Sequence, residues 1–78
     1  MAAVGHIDEA ITAMGEDLAA CRETGDHHEA GQTGEALAEL WTRAGDTARA
    51  REARAGAAAE YTAAGAVEDA RRVLAEDE

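Results

Sequence analysis

The chain has 78 residues and a formal charge of −10, from 17 acidic and seven basic side chains, with one cysteine and no proline. That length allows a single small domain with a thin core, and the acidic balance argues against a nucleic-acid backbone or an anionic membrane as partner, favouring a basic or neutral one. With only Cys21 an intrachain disulfide is excluded; without a readable signal peptide or an 18-residue apolar run, a cytoplasmic setting and no membrane span are expected.

Alanine dominates the apolar content and proline is absent, so an almost wholly helical chain is expected. A first helix is predicted over about 6–24. Ile7, Ile11, Met14, Leu18 and Cys21 recur at intervals of four and three, which places all five on one face. Gly25 suits the left-handed residue that ends a helix, and Asp26 suits the cap of the next, with Glu29 adding capping-box character.

A second helix is predicted over about 27–44, with Ala30, Gly34, Leu37, Trp41 and Ala44 along one stripe. Gly31 and Gly34 each weaken it by about 1 kcal/mol relative to Ala. Either the helix is loose there or a neighbour crosses closely over the glycines. After Gly45-Asp46 a third helix is predicted over about 47–64, with Ala50, Ala53, Ala57, Tyr61 and Ala64 inward and Arg49, Arg51, Glu52, Arg54 and Glu60 largely outward. Gly65 ends it, and a fourth helix over about 67–75 is expected to pack Val67, Ala70, Val73 and Leu74, leaving a frayed acidic end at 76–78.

A 20-residue period runs through these elements: Cys21, Gly25, Ala30, then Trp41, Gly45, Ala50, then Tyr61, Gly65, Ala70. A fixed period marks a stacked repeat, and its short turns make consecutive helices antiparallel. Over Ala30 to Ala75 the chain resembles the tetratricopeptide repeat family, and Cys21-Arg22-Glu23-Thr24-Gly25-Asp26-His27-His28-Glu29-Ala30 is similar to the linker between repeats in the longer variety found in bacterial regulators. The resemblance is carried by Leu37-Ala38-Glu39-Leu40-Trp41-Thr42-Arg43-Ala44-Gly45-Asp46 followed by Ala50, with departures at Gly34 and Arg54.

This resemblance implies an all-α fold of antiparallel helical hairpins stacked as a right-handed superhelix, with one complete repeat from Asp26 to Gly65. It also implies a groove, lined by the first helix of each repeat, that receives a protein or peptide. On that assignment Gln32, Glu35, Glu39, Thr42 and Arg43 face the partner, with Trp41 beside them. Glu35, Glu39 and Arg43 share a face by their spacing of four; the plainer alternative is a solvated face tied by a Glu39–Arg43 pair. Shifting the register by one helix moves the groove to residues near Arg51 and Ala58.

The remaining chemistry is sparse. His27 and His28 adjoin Asp26 and Glu29, but the Gly25 turn interrupts the spacing to Glu23 and adjacent helical histidines diverge, so no metal site is expected. Cys21 reads as a small core hydrophobe. Arg43, Arg49, Arg51 and Arg54 form one basic region that neutralises its acidic neighbours or meets a phosphate or acidic peptide. No serine nucleophile or phosphate-binding glycine loop is present, and neither an enzyme nor a cofactor is expected. The expected role is a protein-binding module in a bacterial regulatory system. The alternative is a homo-oligomeric bundle built on the Ile7/Ile11/Met14/Leu18 stripe.

Overall fold

The computed structural model describes residues 2–76, and the side chains of 6–76. Four α-helices follow in order: α1 (Ala2–Thr24), α2 (His27–Arg43), α3 (Thr47–Ala63) and α4 (Val67–Ala75). The first begins four residues earlier than expected; α2 and α3 each end one residue earlier. Glu76 caps α4 with a backbone N–H bonded to Arg72 and Val73 carbonyls, while the rest of the expected acidic end, Asp77 and Glu78, lies outside the described residues.

The 20-residue period is a period of turns. Gly25, Gly45 and Gly65 have φ of 77°, 84° and 82°, the left-handed region that a Cβ disfavours. In each turn the residue after the glycine donates its N–H to the carbonyl of the bulky repeat residue: Asp26 to Cys21 at 3.0 Å, Asp46 to Trp41 at 2.9 Å and Ala66 to Tyr61 at 2.8 Å. Together with the glycine N–H bonds to Arg22, Thr42 and Thr62, these are three Schellman caps. The Asp26 and Asp46 carboxylates then cap the following helices through Glu29 N and Arg49 N, whereas Ala66 has no side chain to do so. The reciprocal half of the expected capping box at Glu29 does not form, because the Asp26 N–H is already given to Cys21.

The repeat alanines Ala30, Ala50 and Ala70 are buried where each new helix makes its first internal bond. Between α2 and α3 the small residues act together. A Cβ on Gly31 would lie 2.8 Å from the Tyr61 ring, and one on Gly34 would lie 3.0 Å from Ala57 Cβ. The glycines therefore mark a close helix crossing, which offsets their poor helix propensity with contact. Thr33 and Ala38 are buried on the same helix, while Leu37 and Trp41 are only partly buried and Ala44 is exposed. The core continues through Ala57, Ala58, Tyr61, Ala70 and Val73, with Ala66 packed against it.

Outside that pair the burial thins. Ile7, Ile11, Met14, Leu18 and Cys21 are all only partly buried, because α1 meets just one neighbour, α2, along most of its length. Cys21 is thus a half-covered thiol rather than a core residue. Val67 and Leu74, expected to pack, are 48% and 51% exposed. α3 lies against the Ala70/Val73 side of α4, and nothing among the described residues covers the adjacent side. Each helix packs mainly on its sequence neighbours, giving a layer measuring 41 × 30 × 14 Å. The architecture is all-α, four helices side by side. None of the described helices is long and apolar enough to cross a membrane.

Candidate functional site

A cleft of about 660 Å³ lies between α2 and α4. One wall is α2, with Gln32, Glu35, Glu39 and Thr42; the other is α4, with Asp69, Arg72 and Glu76; Tyr61 and Arg54 of α3 close the floor. Four carboxylates therefore face two guanidiniums. The spacing of four along α2 and of three and four along α4 brings these groups to a common side.

At its centre lies a three-residue network. Arg72 donates through Nη1 to Glu35 Oε2 at 2.6 Å and through Nη2 to Glu35 Oε1 at 2.7 Å, a bidentate pair that joins α2 to α4 through residues 37 apart in sequence. The buried Tyr61 hydroxyl donates to Glu35 Oε1. The Arg72 hydrogen bonds hold the Glu35 carboxyl below its ordinary pKa, against the opposing effect of burial and with help from Tyr61. Burial, then the Glu35 carboxylate, push the Tyr61 phenol up to about 12. The Glu35 carboxylate raises Arg72 in turn. Arg72 also reaches Glu76 at 3.2 Å and Asp69 at 3.5 Å, so one guanidinium serves three carboxylates.

Elsewhere on the walls, Arg54 donates to the Thr42 hydroxyl at 3.1 Å. His28 stands edge-on to Tyr61 with ring centroids 5.6 Å apart. Of the six residues singled out from sequence, Gln32, Glu35, Glu39 and Thr42 line the cleft, while Trp41 and Arg43 lie off it. Trp41 carries the Arg49 guanidinium 5.0 Å from its ring centroid, near the α2–α3 turn. Arg43 pairs with Glu39 at 3.1 Å, both side chains exposed, and edges a smaller hollow against Met14 of α1. In the shifted register, Ala58 is buried and Arg51 is exposed. Tyr61, expected inward, reaches the cleft floor, while Asp69, Arg72 and Glu76 carry no site expectation from sequence; their (i, i+3) and (i, i+4) spacing is the available signal.

A second polar cluster centres on Glu60. Glu60 accepts from Arg22 Nε at 3.0 Å and stands 2.8 Å from His27 Nδ1. The His27 contact, followed by that of Arg22, holds the Glu60 carboxyl below its ordinary pKa despite partial burial. Glu60, expected largely outward, thereby links α1, α2 and α3. His27 and His28 face different partners, and among the described residues no group of three His, Cys, Asp or Glu is placed to hold a metal ion.

Comparison with protein-family models, characterised proteins and solved structures yields no significant match to this chain.

Proposed function

We propose that this chain is a tetratricopeptide-like interaction module that binds a cationic segment of a protein or peptide in the α2/α4 cleft, as a non-catalytic part of a cytoplasmic bacterial regulatory system. The observation that carries the reading is the cleft itself: an open trough in which Glu35, Glu39, Asp69 and Glu76 outnumber Arg54 and Arg72. A trough of that charge raises the local concentration of cations and disfavours anionic partners. Trp41 and Arg43, at the edge of α2, then act outside the main contact.

Glu35 is tied into the fold, so the test uses other carboxylates of the cleft. Glu39→Gln combined with Asp69→Asn is expected to weaken binding of a mixed Arg/Lys dodecapeptide by about five-fold at low salt. Unchanged affinity in a double variant that keeps its helicity and melting temperature would remove the cleft as the site.

A second reading, homo-oligomeric assembly, rests on a different observation: the exposed Val67 and Leu74 and the half-covered α1 stripe. It predicts a solution mass and a melting temperature that both rise with concentration. A strictly monomeric species by light scattering at high concentration would exclude it.

A further inference from the structure

We propose that Glu35 is a preformed receptor for a guanidinium group, closed by Arg72 until an arginine side chain of the partner takes its place. The inference rests on the cleft reading above and names both the recognised chemistry and the internal contact that regulates it.

Three features of the geometry support it. First, Glu35 has an anchor besides its cation: the hydroxyl of Tyr61, a residue only 2% exposed, donates to Oε1. A carboxylate held in this way presents a planar pair of acceptors without further ordering, the arrangement that a guanidinium fork matches and an ammonium does not. Second, Arg72 has substitutes at hand. Asp69 and Glu76 stand three residues before and four after it on α4, at 3.5 and 3.2 Å, so Arg72 can leave Glu35 and remain paired. An incoming guanidinium therefore exchanges for one already present, and no carboxylate is left bare. Third, α4 is the shortest helix, has no side-chain cap at its start, and buries only Ala70 and Val73, so the element carrying the lock is lightly held. The bidentate contact itself is open to the cleft, with the Arg72 side chain 47% accessible.

The test uses the whole chain and two defined probes, hexa-arginine and hexalysine, measured by calorimetry at low salt. The unmodified chain is expected to prefer hexa-arginine by about five-fold, reflecting bidentate against point-charge recognition. Glu35→Gln is expected to abolish that preference, Tyr61→Phe to reduce it, and Arg72→Gln to tighten hexa-arginine by about ten-fold through loss of the competitor.

Because the Arg72 variant removes a link between α2 and α4, a measurement on the unmodified chain accompanies it. The Arg72 guanidinium nitrogen signals in NMR are expected to shift and lose exchange protection as hexa-arginine is added. Equal affinities for the two probes, or Arg72 signals that stay fixed while peptide binds, overturn the proposal. If binding nevertheless depends on Glu39 and Asp69, only the exchange at Glu35 fails. If neither probe binds any folded variant, the cleft reading falls with it.

Discussion

The α2/α3 pair and the α1/α2 pair solve the same packing problem with opposite materials. The first uses glycines, alanines and one tyrosine, and buries them almost completely. The second offers isoleucines, a methionine and leucines, and leaves those on α1 half covered. Side-chain size is thus a poor guide to where the core lies in a single layer of helices. Close approach lets small residues exclude water on both sides, whereas large ones on an outer helix are covered from one side only. The energetic weight of the molecule sits where the sequence is least hydrophobic in appearance.

The sharpest way to break this contrast is truncation in each region. Tyr61→Ala removes the ring that Gly31 accommodates and is expected to cost about 3–5 kcal/mol, most of what a domain of this size has to lose. Leu18→Ala, at a half-covered site, is expected to cost about 1–2 kcal/mol. Urea denaturation followed by circular dichroism ranks the two; equal losses would mean that α1 is as much core as α3.

A gentler test adds a methyl group. Gly31→Ala places it against the Tyr61 ring at 2.8 Å, where overpacking of about 1–3 kcal/mol outweighs a helix-propensity gain of about 1 kcal/mol. On α1, Gly15→Ala meets nothing within 4 Å and keeps the whole gain of about 1 kcal/mol. Opposite signs in the shift of the urea midpoint are expected, and two stabilising substitutions would show that the crossing has slack.

Titration separates the two polar clusters from the apolar contrast. The folded-state pKa values of Glu35 and Glu60 are depressed, so their contributions are present above the unfolded carboxylate value near 4.5 and are lost as pH falls through the lower folded values. Tyr61 is raised to about 12 from about 10, so its contribution is intact below the unfolded value and is lost as pH rises from 10 through 12. Thermal melts across pH are expected to fall at both extremes. The acid limb should shrink in Glu35→Gln, and an unchanged limb would remove Glu35 from the account. The smallest effect is expected at Arg43→Ala, where both members of the Glu39 pair are exposed: within about 0.5 kcal/mol in the same denaturation assay.

Much of this architecture was legible beforehand for a local reason. Helix ends are set by residues within one turn, so Gly25-Asp26, Gly45-Asp46 and Gly65 announced three caps and four helices. Gly31 and Gly34 left a loose helix and a close crossing equally open, and the crossing is what forms. What escaped was set by stacking. Nothing in the spacing of Val67 and Leu74 says which side of α4 will meet a neighbour. The Glu35–Arg72 and Glu60–Arg22 pairs join residues 37 and 38 apart, and depend on the angle at which successive hairpins lie. For the same reason the spacing puts Gln32, Glu35, Glu39 and Thr42 on one side of α2 without saying what that side faces, and it does not separate them from Trp41 and Arg43, one step around the helix or one turn along it.

The 14 Å thickness of the layer has a consequence for how the molecule comes apart. With each helix leaning mainly on its sequence neighbours, opening spreads as in a row of coupled links: a rupture at either end costs one interface, a rupture in the middle two. Amide protons of α4 and α1 should therefore trade with solvent deuterium first and those facing the Gly31–Tyr61 contact last. The chain behaves as a zipper with a single strong tooth near its centre.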